Sequence, residues 1–173
     1  MKLRLATLSD LDSVLLFYDN VMEKTPGIGS YAQWHKGKHP TSEGIRAYIE
    51  EGCMYLYMEE GIAGAVVLTM RQEENYHSIA WSVPAKDDEV AVIHLLAVSP
   101  ECQGSGIGAE IVRESILLAK QNGKKAVRLD ATASNTPVHR LYERLGFICR
   151  GKRKMYAENN GFIDFLFFEY SVV

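Results

Sequence analysis

Basic residues are not in excess in this chain of 173 residues: 19 Lys and Arg stand against 22 Asp and Glu, a formal net charge of -3. A phosphate backbone finds no general counter-charge here, so nucleic acid is not expected as a partner. Cysteine is scarce as well. Cys53, Cys102 and Cys149 are odd in number and widely spaced, which fits neither a disulfide framework nor a zinc knuckle and suggests reduced thiols in a cytoplasm. Long apolar runs are missing too. The opening MKLRLATLSD lacks the apolar core of about 7–15 residues of a signal peptide, and no run approaches the ~18 residues of a membrane span. No membrane association is expected. Internal repeats, low-complexity tracts and collagen-like glycine periodicity are absent. What is present, 47% hydrophobic and 24% charged residues, is the composition of one globular domain spanning 1–173 that can bury a core without staples.

Residues 2 to 6 alternate as a short strand. Thr7, with Asp10 three residues on in the spacing of a capping box, opens a helix with an apolar stripe of Leu8, Leu11, Val14, Leu15, Tyr18 and Met22. Thr25 to Thr41 reads as a loop, yet it carries Tyr31, Trp34, His35 and His39, an aromatic content unusual for a connector. Ser42 to Glu50 reads as a short helix, and Met54 to Met58 with Ala63 to Met70 as an antiparallel hairpin turned at Glu60-Gly61. Val90 to Val98 is the most apolar run and predicts a buried central strand. Gly106 to Gln121 is a helix with Ile107, Ile111, Val112, Leu118 and Ala119 on one face, closed by Asn122-Gly123. Val127 to Ala131 is a strand, and Pro137 to Leu145 a short helix with Val138, Leu141 and Leu145 inward. Phe147 to Tyr156 and Phe162 to Val172 pair across an Asn159-Asn160-Gly161 turn. This order argues an α+β fold with helices on both faces of a mixed sheet.

Chemistry concentrates in Gln103-Gly104-Ser105-Gly106-Ile107-Gly108, between the buried strand and an amphipathic helix. Glycines let the backbone approach a ligand, and free N–H groups with the helix dipole favour a phosphate. A P-loop is excluded, because Ala109-Glu110 follow Gly108 where Lys-Ser/Thr is required. A dinucleotide-binding oxidoreductase is an alternative: Gly104, Gly106 and Ala109 satisfy G-x-G-x-x-G/A, and Asp130 ends the next strand where a ribose-binding acid belongs. Against it, five residues separate the glycines from the strand, and only one parallel β-α-β unit is available.

Gln103-x-x-Gly106-x-Gly108 is similar to the Q/R-x-x-G-x-G/A pyrophosphate loop of the GNAT superfamily of N-acetyltransferases. His94-Leu95-Leu96-Ala97-Val98-Ser99-Pro100 resembles that family's fourth strand, and the segment from Asn135 through Leu141-Tyr142 to Gly146-Phe147 resembles its N-x-x-A-x-x-L-Y-x-x-x-G-F motif. The final hairpin from Gly161 to Tyr170 looks like its last strand, and Tyr31 to Thr41, with Trp34 and Pro40, resembles a bacterial branch whose acceptors are mostly unassigned.

The resemblance implies a mostly antiparallel central sheet whose fourth and fifth strands splay apart. It implies acetyl-coenzyme A as co-substrate, no metal, and transfer to a primary amine by direct attack in a ternary complex. Leu96, Ala97 and Val98 would meet the pantetheine arm much as an added strand does, and an N–H near Leu96 or Ala97 would hold the oxyanion. Gln103, Gly104, Ser105, Gly106, Ile107 and Gly108 would bind the pyrophosphate. Tyr142 would protonate the leaving thiolate, or else is core. Asn135 would contact the pantetheine, or only cap a helix.

The glutamate that many relatives carry on the fourth strand is replaced by Val92. Alternation puts His94 on the same strand face, so His94 is either the proton acceptor or a structural histidine. His139 reads as a solvated helix residue, and Cys102 as a passive loop thiol. Tyr31, Trp34 and Trp81, with His35 and Tyr76, are expected to form the acceptor pocket, with Glu73, Glu74 and Glu89 holding a cationic amine at its rim. A non-catalytic acyl-coenzyme A sensor is the alternative on the same fold. Acceptor identity, acyl length and a homodimer stay open.

Overall fold

The computed structural model describes residues 3–157 and 159–172. Strand β1 (Leu3–Leu5) is followed by a single 3-10 turn, Leu8–Asp10, in which the Thr7 N–H donates to the Asp10 carboxylate at 2.8 Å. Helix α1 (Leu11–Lys24) starts only there, so Leu8 lies in the turn and stays exposed. The buried stripe is Leu11, Val14, Phe17, Tyr18 and Val21. The expected loop contains one helical turn, α2 (Ile28–Tyr31), and a bridge between His35 and His39. Helix α3 (Ser42–Glu50) begins where the Thr41 hydroxyl accepts the Gly44 N–H at 3.0 Å, as a Thr N-cap should. Then come β2 (Met54–Met58), β3 (Ile62–Thr69), β4 (Val90–Val98), α4 (Ile107–Gln121), β5 (Ala126–Thr132), α5 (Thr136–Arg144), β6 (Ile148–Ala157) and β7 (Gly161–Ser171).

Seven strands form one sheet in the order β1-β2-β3-β4-β5-β7-β6, and β4-β5 is its parallel pair. All other neighbours are antiparallel, so the two parallel halves of a dinucleotide fold are not there. Helix α4 covers one face through Ile107, Ile111, Val112 and Leu118. On the other face α1 and α3 bury Val14, Tyr18, Ile45 and Ile49. α5 turns His139 and Tyr142 inward, with Val138, Leu141 and Leu145 only half-buried. His139 is therefore not a solvated residue: its Nε2 lies 3.0 Å from the Thr132 carbonyl and its ring packs on Phe168.

Two irregularities in the centre create an opening. The β4-β5 register ends at Ile93 opposite Leu129, after which β4 keeps pairing with β3 as far as Val98 and β5 with β7 as far as Thr132. The strands part at that point. In addition, Ala65 pairs with Ala97 while Val67 pairs with His94, so Leu95 and Leu96 together face one residue, the signature of a bulge. Leu95 adopts φ 49°, and the Tyr18 hydroxyl donates to its carbonyl at 2.7 Å. The extra residue reverses the facing of the strand. Leu96 and Val98 pack toward α4, whereas Ala97 packs toward α1.

Candidate active site

A cavity of about 650 Å³ occupies the gap. One wall is β4 from Ile93 to Val98, and the other is Asp130, Ala131 and Thr132 of β5. Residues 31–34 and 38–41 roof it. That roof is tied down: the Tyr31 carbonyl accepts the Thr132 hydroxyl and, at 2.8 Å, the Ser134 hydroxyl, while Asn159 and Asn160 donate to the Lys38 and Gln33 carbonyls at 3.0 and 3.2 Å. These bonds explain why an aromatic connector is ordered over the sheet.

Of the residues singled out from the sequence, Tyr31, Trp34, His94, Leu96, Ala97, Val98, Gln103, Asn135 and Tyr142 all line this cavity. Tyr142 is 4% exposed and packs on Phe147 and Phe168, and no group among the described residues hydrogen-bonds its hydroxyl. Burial, with the Asp130 charge adding, pushes its phenol well above the ordinary value, so it stays protonated. Asn135 holds the N-cap position of α5 but makes no side-chain capping bond, which leaves its amide free toward the cavity. The Gln103 amide spans the Thr25 hydroxyl at 3.0 Å and the Val98 carbonyl at 3.3 Å.

The bulge follows His94, so the alternation from Val92 is intact. Val92 is sealed against Tyr76, Ile79 and Phe167 and does not line the cavity, whereas His94 does. Its ring stacks on Tyr48, and its Nε2 is shut off from solvent with no hydrogen-bond partner among the described residues. Burial lowers its pKa, an effect the charges of Asp130 and Glu73 oppose. A neutral imidazole with one unpartnered nitrogen results.

Residues Gly104 to Gly108 flank the cavity at the start of α4. Gly104 and Gly106 have φ 80° and 92°, and a Cβ at either would meet nothing within 4 Å. The loop is thus exposed, conformationally reserved for glycine, and set beside the free N–H groups of a helix start, which fits a pyrophosphate. Gly108 differs. It is helical, and its reach is limited by Val98 and Leu141. Gly106→Val is expected to weaken coenzyme A binding about tenfold or more through the strained φ, at a stability cost of about 1–3 kcal/mol, read by calorimetry and thermal unfolding.

Trp81 does not belong to the cavity. Its indole N–H donates to the Tyr76 carbonyl at 2.7 Å, its ring stacks on Tyr76, and the Arg128 guanidinium lies 4.3 Å from its centroid. It is a packing residue over a buried ion pair. Tyr76 is buried and does not line the cavity, and neither does the exposed His35. Glu89 is taken by Lys125 at 2.8 Å, and among the proposed rim acids only Glu73 lines the cavity. The sequence gives no sign of Tyr48 as a wall residue, nor of Asp130 as a cavity acid; Asp130 lies within β5, one residue past its last pairing with β4. Among the described residues no group of His, Cys, Asp and Glu could hold a metal, and no helix is long and apolar enough to cross a membrane.

The site thus lies in a seven-stranded α+β sheet opened between its parallel strands, with a glycine loop at the adjoining helix start. The model of the acetyltransferase (GNAT) family matches residues 19–147, and the chain belongs to that family. A GNAT-family acetyltransferase from Streptococcus agalactiae superposes with a TM-score of 0.80 at 20% identity, covering 98% of this chain and 94% of that one. A Salmonella typhimurium protein, yncA, solved with its cofactor acetyl-CoA, superposes at 0.70 with 18% identity, covering 100% and 94%. Among curated proteins, the uncharacterized N-acetyltransferase YesJ of Bacillus subtilis is 25% identical over 60% of this chain and 57% of its own length. A mycothiol acetyltransferase of Arthrobacter is 36% identical over 42% of this chain. The chain spans 22% of the latter's length and just over half of YesJ.

Proposed function

We propose that the protein transfers an acetyl group from acetyl-coenzyme A to a primary amine by direct attack in a ternary complex. The observation that supports this reading is the meeting, in one cavity at the parted strands, of an unbonded Tyr142 hydroxyl and the His94 imidazole. Acetyl-coenzyme A supplies a thioester, whose C–S bond breaks as the C–N bond to the amine forms. The loop from Gln103 to Gly108 holds the pyrophosphate, and Leu96 to Val98 with Asn135 hold the pantetheine arm. An N–H near Leu96 or Ala97 donates to the acyl oxygen. His94 takes the proton from the amine, and Tyr142 gives its own to the departing sulfur. The thiol and the acetamide leave behind a protonated His94 and a Tyr142 phenolate, and passage of the His94 proton to Tyr142 through the water that refills the cavity restores both groups.

A screen of amines against acetyl-coenzyme A that reads free thiol tests the proposal; no release with any amine leaves the acyl-coenzyme A sensor. The pH profile is a second check. A base works unprotonated, and burial sets His94 below the ordinary histidine value, so kcat/KM is expected to hold to below pH ~6.5 before its acid limb falls. In His94→Gln that limb is expected to disappear, along with roughly 10²-fold of the rate.

A further inference from the structure

The cavity contains a carboxylate that the acyl-transfer steps do not use. Asp130 lies one residue past Leu129, the last β5 residue paired with β4. Alternation puts His94 on the face of Val92 and Asp130 on that of Arg128, and since each follows a last paired residue, Ile93 or Leu129, the two stand on opposite walls where the strands begin to part. Both line the cavity. Among the described residues no lysine or arginine pairs with Asp130, although its neighbour on the same strand face, Arg128, is fully engaged by Glu169, Gln72 and the Val83 carbonyl. One Asp130 oxygen accepts the Tyr76 hydroxyl at 2.5 Å, which leaves most of the lone pairs of the carboxylate unspent.

Tyr76 has little freedom to do anything else. Its side chain is fully buried, stacked on Trp81 at 5.8 Å and 13° and edge-on to Phe167 at 5.5 Å. A rigid phenol therefore fixes the direction of the carboxylate from beneath. Of the remaining charges on the lining, Glu73 and Lys38 are both exposed and opposite in sign, so Asp130 is the charge that decides inside. The surrounding walls are aromatic: Tyr31, Trp34, Tyr48 and Phe165.

We propose that Asp130 anchors the ammonium group of the acceptor, and that Tyr76 is a positioning residue for its carboxylate. The site then takes a compact cationic amine with an apolar body. A half-buried carboxylate without a cation attracts an ammonium more strongly than it would in bulk water, and the aromatic walls favour both an apolar body and a nearby positive charge. An acidic acceptor is repelled. The ammonium so held shares the cavity with the His94 imidazole, to which it can lose its proton before attack.

This inference rests on the acyl-transfer reading and is tested apart from it. The probes are 2-phenylethylamine, tyramine and putrescine, with uncharged 2-phenylethanol as a control, titrated calorimetrically into the complex of the protein with coenzyme A. At least one amine is expected to bind, and Asp130→Asn to weaken every amine that binds about tenfold or more. Binding of 2-phenylethanol and of coenzyme A should not change. Tyr76→Phe, which keeps the packing on Trp81 and Phe167, should weaken the amines severalfold and raise the acceptor KM with kcat retained. A wild-type protein that binds none of the three amines overturns the proposal, as does amine affinity unchanged in Asp130→Asn. Should Asp130→Asn fail to bind coenzyme A, Tyr76→Phe decides, and unchanged amine affinity there overturns it. Thiol release that ignores Asp130 would sink the anchor alone, whereas Asp130-dependent amine binding without thiol release would sink acyl transfer alone.

Discussion

Removing one oxygen atom, in Tyr142→Phe, is expected to lower turnover by roughly 10²–10⁴-fold while coenzyme A affinity and thermal stability stay close to wild type. The separation of effects follows from how the side chain is held. Its ring is fixed by Phe147 at 5.6 Å and Phe168 at 5.8 Å, contacts that phenylalanine keeps. The hydroxyl contributes no hydrogen bond to the fold among the described residues and faces the cavity, so its loss removes little native-state energy. What is lost is a proton donor. Burial raises the phenol pKa, so the group holds its proton at every working pH and cannot serve as a base. A donor to the departing sulfur acts on the transition state, and kcat and kcat/KM should therefore fall together. Steady-state kinetics with saturating acetyl-coenzyme A, beside calorimetry of coenzyme A, would show it. An unchanged kcat where chemistry limits the rate would make Tyr142 a core residue.

The parts of the molecule that local pattern governs are legible in the chain. Ser42–Glu50 and Val90–Val98 match the structure at both ends because a Thr cap and an apolar run interrupted only by His94 are short-range signals. The glycine loop is legible for a different reason, since positive φ and a helix start restrict which residues fit, whereas Tyr142 is legible through the resemblance of its segment to the family motif. Long-range partners are not legible. Trp81 looks like a pocket wall until Arg128, from a distant strand, is seen against its ring. His139 looks solvated until the Thr132 carbonyl and Phe168 close over it. Asp130 could be seen as a strand-end acid, but its place in the cavity depends on where β4 and β5 part, beside the bulge at Leu95 and where β7 goes on pairing with β5, and neither the bulge nor that pairing has a local signal in the chain.

Glu169→Ala is expected to cost about 3–5 kcal/mol, the scale of breaking a buried ion pair from one side. Arg128 and Glu169 are each 1% exposed at the side chain and 3.0 Å apart. Glu169 also accepts Arg150 at 3.0 Å, the Ser82 N–H at 3.0 Å and the Ser82 hydroxyl at 2.7 Å. Truncation would leave the Arg128 guanidinium buried with only Gln72, the Val83 carbonyl and the Trp81 face for company. Burial by itself pushes the Glu169 carboxyl up, but the Ser82 bonds and Arg128 outweigh it and hold the pKa below the ordinary value. With the folded pKa depressed, the stabilisation is complete above the unfolded carboxylate pKa of ~4.3 and is lost as the pH falls through the lower folded value. Urea unfolding at pH 7 should show the full deficit of Glu169→Ala, and the gap to wild type should narrow in acid. The damage should also reach the cavity, because Ser82 and Val83 anchor the segment that carries Trp81 and Tyr76, and Tyr76 holds Asp130. A still-folded Glu169→Ala protein is therefore expected to bind coenzyme A normally and amines poorly. Loss of both affinities together would mean that the network supports the sheet as a whole, and equal stability of the two proteins at pH 7 would remove the ion pair from the account of the fold.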